Sequence, residues 1–218
     1  INPVQMLGYA RKNWNNIGMG SAEFIQVYRN ILDYTFEYLG RGIVILDRMF
    51  LLALTKLTSP TDISYMDFRS PCGAVCGQLA YDINGDIYPC DEARSFPELR
   101  LGNVSTHTYE DIINTRMTSE IVEASLHTQP VCSACAYKPY CGVCPVISYA
   151  ERGRLVPEPP DDLRCQFSQF LFDYVFSKII NDEQDILNIL KYLKTKNAYL
   201  LARTELMREN GKIRIDEE

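Results

Sequence analysis

Cys72-x3-Cys76-x13-Cys90, then Cys132-x2-Cys135-x5-Cys141-x2-Cys144, and finally Cys165 hold all eight cysteines of this 218-residue chain. Eight thiols divide into two four-thiolate sites, and Cys-x2-Cys is the spacing with which one turn of backbone aims two sulfurs at one metal. Two metal centres are therefore expected. Four disulfides are the competing use of the same residues. No secretory signal precedes them, however, and a chain of this length is not a miniature scaffold that needs staples.

Working outward from the cysteines, Leu79, Tyr81 and Ile83 alternate with small or polar residues, and Asn84-Gly85 leads into Asp86–Tyr88. This pattern predicts a β-hairpin over 78–88 with a two-residue type I′ turn, which folds Cys90 back beside Cys76. Thr108 with Asp111 three residues on reads as a capping box, opening a helix to about Leu126 that separates the two cysteine groups. From Pro130 to Cys165 the chain is rich in Pro and Cys and has no sustained period, so it reads as loop held by metal. Phe167, Phe170, Leu171, Tyr174, Val175 and Ile179 then form a helical stripe, and Asp185 to Leu206 continues as helix through Ile186, Leu190 and Leu193.

Upstream, Ile1–Gln5 is short, apolar and interrupted by Pro3, as at the end of a strand. Ser21 is a candidate N-cap for a helix whose apolar positions Phe24, Val27, Tyr28, Ile31, Leu32 and Leu39 recur until Gly40 and Gly42. A second helix, Arg48 to Leu57, ends before Thr58-Ser59-Pro60, a boundary signal. One strand and one helix are half of a βα unit, which cannot bury its faces alone, so an upstream part is expected to be missing. The fold expected is α+β. Residues 1–60 form one segment, 61–166 the cysteine module and 167–218 C-terminal helices.

Composition bounds the partners. With 46% hydrophobic and 23% charged residues the chain is an ordinary globular one. Its net charge of −6 offers no general attraction to phosphate backbones or anionic lipid, which argues against nucleic acid. The runs Ile43–Leu46 and Met49–Leu54 are broken by Asp47-Arg48 and too short to span a bilayer. With no targeting pattern, a soluble cytoplasmic protein is expected. No internal repeat, low-complexity tract or phosphate-cradling glycine loop is present.

Zinc and iron-sulfur clusters both take four thiolates, and spacing alone does not fully separate them. Zinc ribbons pair two Cys-x2-Cys knuckles in one compact site. Here the knuckles enclose only five residues and leave Cys72, Cys76, Cys90 and Cys165 to be used, so interleaved iron-sulfur sites fit better. Neither His107 nor His127 stands at knuckle spacing. Both read as ordinary loop or surface histidines.

Residues 70 to 166 resemble a SPASM domain, the auxiliary-cluster domain of radical SAM enzymes that modify peptides and proteins. That family places a Cys, then nine to fifteen residues, a Gly, x4 and a Cys, where this chain has Cys72, Gly85 and Cys90. It continues with Cys-x2-Cys-x5-Cys-x3-Cys and a distant Cys, matched by Cys132, Cys135, Cys141, Cys144 and Cys165 except that two residues, not three, precede Cys144. The resemblance implies two [4Fe-4S] clusters, one on Cys72, Cys76, Cys90 and Cys144, the other on Cys132, Cys135, Cys141 and Cys165. Ser70–Ala74 and Tyr88–Arg94 resemble, more narrowly, the maturase of His-Xaa-Ser peptide systems.

The family's Cys-x3-Cys-x2-Cys motif, which binds the cluster that cleaves S-adenosylmethionine, is absent. Cys72-x3-Cys76 begins like it, but the third position is Leu79. Residues 1–57 resemble instead the last strand and helix of the partial TIM-like barrel that carries that chemistry. S-adenosylmethionine and a third [4Fe-4S] cluster are thus expected only in an N-terminal half, and this chain alone is not expected to be active. The resemblance implies a peptide or protein substrate and an electron donor such as flavodoxin or ferredoxin. It also makes Asp91 a candidate base, because sulfatase maturases carry an Asp after the matching cysteine; partial burial beside thiolates would suit it to take a proton. Glu92 is the fallback. A two-zinc interaction module and a free-standing ferredoxin-like carrier are the rival readings.

Overall fold

The computed structural model describes residues 1–160 and 162–195. It is mostly helical, with one small antiparallel sheet. Ile1–Gln5 is irregular and not a strand. Pro3 lacks a donor, and among the described residues no segment pairs with this stretch, so nothing satisfies an extended backbone there. Two short helices that the sequence pattern did not signal follow, α1 (Gly8–Lys12) and α2 (Trp14–Ile17).

The expected long helix is α3 (Ser21–Gly40), whose Phe24, Tyr28, Leu32 and Phe36 form its buried stripe. Ser21 is its first helical residue and Gly20 occupies the cap, with no side-chain bond. Val27 is exposed. Helix α4 (Arg48–Thr58) starts at Asp47, whose carboxylate accepts from the Met49 and Phe50 backbone N–H groups at 2.9 and 3.0 Å. The buried Tyr28 hydroxyl also donates to Asp47, tying α3 to the start of α4.

Helix α9 (Leu163–Asn181) packs on both α3 and α4, and residues 183–195 continue as α10, contributing Ile186 and Ile189 to the same core. The expected continuation from 196 to Leu206 lies outside the described residues. This core is aromatic: Phe24, Tyr28 and Phe167 meet edge-on or stacked, as do Phe36, Phe50 and Tyr174. Each fully buried Leu or Phe here, such as Leu54 or Phe172, contributes about 1.5–3 kcal/mol of transfer free energy.

The sheet runs β1 (Ala80–Tyr81), β2 (Asp86–Tyr88), β3 (Gly102–Asn103) in that spatial order. The hairpin is where the sequence places it, but its turn is not type I′. The Asp82 N–H donates to the Asp86 carbonyl, leaving Ile83, Asn84 and Gly85 as a three-residue loop. Of these only Gly85 has positive φ, at +81°. The Asp82 side chain explains the choice, because it accepts the Asn84 N–H at 2.7 Å and so fixes a tight turn one residue earlier. Gly85 then supplies the left-handed bulge residue of three-residue hairpins. The third strand had no alternating signal, being only two residues long.

The helix expected over 108–126 is two helices. Thr108 and Asp111 form the capping box of α5 (Tyr109–Ile113). Thr115 then caps α6 (Arg116–Ala124) by accepting from the Thr118 N–H, which breaks the run. The segment 130–165 is likewise not all loop. It contains α7 (Pro130–Ser133) and α8 (Pro145–Arg152), each opened by a proline at its first turn, where a missing N–H costs nothing. Among the described residues no helix is long and apolar enough to cross a membrane.

Candidate metal centres

All eight cysteines are free thiols. Cys72 follows the 3-10 turn Met66–Phe68, and its N–H donates at 3.1 Å to the hydroxyl of Ser125, just past α6. Ser125 is fully buried and donates in turn to the Val122 carbonyl at 2.7 Å. Cys90 lies two residues past β2 and is buried, and Cys144 is the N-cap of α8. These three thiols line one large cavity together with Arg48, Asp67, Asp91 and Arg164.

Cys132 lies on α7, and Cys135 and Cys141 follow it in the Pro-rich turns. Cys165 lies in the first turn of α9, which begins before the cysteine and not beyond it, and its N–H donates at 2.6 Å to the Asp162 carboxylate that caps the helix. These four line a second cavity, which Cys144 also reaches. Gly142 is required for this arrangement, since a Cβ there would stand 2.7 Å from the Arg69 carbonyl and 2.8 Å from that of Asp67. The absent side chain lets the Cys141–Cys144 knuckle lie directly on the segment before Cys72.

Electrostatic coupling follows the same partition. The charge of Cys72 bears on Cys144 and that of Cys144 on Cys90, while Cys165 is coupled to Cys141, Cys132 and Cys135. Burial pushes the thiols of Cys90, Cys132, Cys141 and Cys144 up, and that of Cys165 up to about 12. A thiol raised in this way favours its protonated form, and a bound cation that takes the charge reverses that preference. At Cys144 burial is opposed by Arg164 and by the Ile147 backbone N–H at the start of α8.

Cys76 stands apart. It is exposed and lines neither cavity, although the Val75 N–H donates to the Pro89 carbonyl and so brings its backbone close to that of Cys90. The cause is a γ-turn in which the Cys76 N–H donates to the Ala74 carbonyl across Val75, held at φ +66°. A β-branched residue in that region is strained by about 1–3 kcal/mol.

Asp91 lines the first cavity, but its side chain is 76% exposed and 3.3 Å from Arg94, so the partial burial expected for it is not found. Glu92 is exposed beside it. His107 is an exposed loop residue, bonded through Nδ1 to Thr106 at 2.8 Å. His127 is in a loop but not on the surface. It is half-buried, it lines the second cavity, and its Nε2 has no partner. Arg164 was not singled out from the sequence. Its charge acts on both Cys141 and Cys144, a terminal nitrogen pairs with Asp67, and its buried Nε is also unpartnered. Its position next to Cys165 was the signal available.

Among the described residues no three His, Cys, Asp or Glu side chains converge tightly enough for a single metal ion. A cubane cluster takes one thiolate per iron, so its ligands ring a cavity instead of meeting at a point. The second cysteine set has that form. Three of the first set do as well.

Residues 72–136 match the SPASM family, an iron-sulfur cluster-binding domain. Two further likenesses extend beyond that SPASM segment. The chain is 25% identical over 183 residues to a cysteine-type anaerobic sulfatase-maturating enzyme of Clostridium perfringens (strain 13 / Type A), covering 82% of this chain and 46% of the relative. It is 23% identical over 180 residues to the enzyme of the same name from strain ATCC 13124. The chain thus spans just under half the length of these curated relatives. Its fold is similar to native anSMEcpe with bound AdoMet, with a TM-score of 0.59 and 20% identity over 78% of this chain and 45% of that one. The same TM-score is obtained with anSMEcpe bound to AdoMet and the Cp18Cys peptide.

Proposed function

We propose that this chain is the auxiliary-cluster half of a radical SAM peptide or protein maturase and holds two [4Fe-4S] clusters. The observation that supports the proposal is that seven of the eight thiols, within and beyond the SPASM match, line two cavities, Cys72 and Cys90 one, Cys132, Cys135, Cys141 and Cys165 the other, and Cys144 both. Cys132, Cys135, Cys141 and Cys165 are assigned to one cluster. Cys72, Cys90 and Cys144 are assigned to the other, with Cys76 as the fourth ligand, reached by unwinding the strained turn at Val75. When bound, such clusters supply one-electron transfer at potentials set by burial and by hydrogen bonds to sulfur, roughly −700 to +450 mV.

The first cavity, open beside Asp91 and Glu92, receives the peptide or protein substrate; Asp91 accepts a proton there and Arg94 orients its carboxylate. Residues 1–60 are assigned to the end of the barrel half, 61–166 to the auxiliary domain and 167–218 to the C-terminal helices. Cleavage of S-adenosylmethionine is assigned to a half bearing Cys-x3-Cys-x2-Cys, which these residues do not contain. Electrons come from a flavodoxin- or ferredoxin-like donor in the cytoplasm. The phrases Ser70–Ala74 and Tyr88–Arg94 favour a His-Xaa-Ser type of maturase within this class.

A two-part experiment tests the proposal. Anaerobically reconstituted chain should be brown, bleach on reduction, and form no 5′-deoxyadenosine from S-adenosylmethionine. Colourless zinc-bound protein, or 5′-deoxyadenosine from the chain alone, would refute it.

A further inference from the structure

Two buried side-chain nitrogens lack a hydrogen-bond partner among the described residues, Arg164 Nε and His127 Nε2, and both residues line the cavity of Cys132, Cys135, Cys141 and Cys165. Arg164 Nε always carries a hydrogen, and a buried N–H without an acceptor is costly and rare, so it points to an acceptor in the adjoining cavity; His127 Nε2 adds a second unpartnered nitrogen, a donor in its Nε2–H tautomer. Arg164 has a second property. Of the side chains that line both thiol cavities (Val143, Cys144, Ile147, Glu151, Arg164 and Ser168) it is the only cation. Asp67 holds one terminal nitrogen of the guanidinium and leaves Nε free, and the side chain is only 17% exposed. Glu151, the acid in the same group, is itself engaged by Arg152 at 3.2 Å.

We propose that Arg164 is a positioning residue placed between the two cluster sites, and that it raises the electron affinity of the cluster on Cys132, Cys135, Cys141 and Cys165 by offering its Nε–H to cluster sulfur. His127 in its Nε2–H tautomer is the second donor. This inference rests on the two-cluster reading above. Its physics is simple: a reduced cluster carries one more negative charge than the oxidised one. A fixed cation and N–H donors at the sulfurs therefore stabilise the reduced form and raise the potential. Asp67 supplies the anchor, since it holds one terminal nitrogen of the fork and leaves Nε without a protein partner between the two cavities.

The test is a redox titration of the reconstituted full chain followed by electron paramagnetic resonance, with iron and sulfide counted on every protein. In Arg164→Met one cluster should become at least tenfold harder to reduce, a fall of about 59 mV for a one-electron couple. Arg164→Lys keeps the charge but not the Nε donor and should fall part of the way. Fully loaded Arg164→Met with both potentials unchanged overturns the proposal alone. Wild type without sulfide overturns the two-cluster reading and the proposal with it. If Arg164→Met loses iron, hyperfine spectroscopy of reduced wild type made with isotope-labelled arginine decides: a guanidinium nitrogen coupled to a cluster supports the assignment, and no coupling refutes it.

Discussion

Replacing Ser125 by alanine removes the acceptor that fixes Cys72. The Ser125 hydroxyl accepts the Cys72 N–H at 3.1 Å and donates to the Val122 carbonyl at 2.7 Å, while the Ser125 carbonyl accepts from the Ser70 hydroxyl at 3.1 Å. Alanine keeps the last contact and deletes the other two. A buried donor left without an acceptor costs about 1–3 kcal/mol. Cys72 is half-buried, so about 1–2 kcal/mol applies, which is roughly a 5–30-fold shift in the opening equilibrium of the 70–76 segment. Hydrogen exchange of that segment in iron-loaded protein should accelerate by this factor. Iron release to a chelator should become biphasic, with one cluster lost first. Unchanged exchange together with release as slow and uniform as in wild type would show that Cys72 is not held in place by Ser125.

Three further outcomes follow from the same geometry. Cys76→Ala should leave the cluster on Cys132, Cys135, Cys141 and Cys165 intact and convert the other to a labile or three-iron form, read by electron paramagnetic resonance; an identical spectrum would make Cys76 a spectator. Asp91→Asn, placed in a full-length enzyme, should keep full iron content and S-adenosylmethionine cleavage but slow peptide modification by roughly 10²-fold or more. Normal turnover would leave Asp91 only its pairing with Arg94. Removing iron should expose 130–165 to proteases before α9, because this stretch has little apolar periodicity of its own; equal resistance with and without metal would contradict that.

Much of this was legible in the residues, and the failures have specific causes. The stripe Phe24–Tyr28–Leu32 and the apolar run after Arg48 gave α3 and α4 because helical spacing and burial agree there. The spacing of the cysteines signalled two four-thiolate sites without saying which thiol goes where; the grouping of Cys132, Cys135, Cys141 and Cys165 apart from Cys72, Cys90 and Cys144 came from the family resemblance. Local side-chain chemistry decided what periodicity did not show. Asp82 moved the hairpin turn, Thr115 broke the helix after Asn114, and prolines 130 and 145 started helices in what looked like loop. Long-range placement was the least visible. Arg164 becomes significant only when Asp67, Cys141 and Cys144 surround it, and the exposure of Cys76 depends on the φ of Val75.

Iron and acid-labile sulfide in the anaerobically reconstituted chain bear on all of this at once. Two cubane clusters require about eight of each per chain. Stoichiometric zinc without sulfide would contradict the assignment of both cysteine sets.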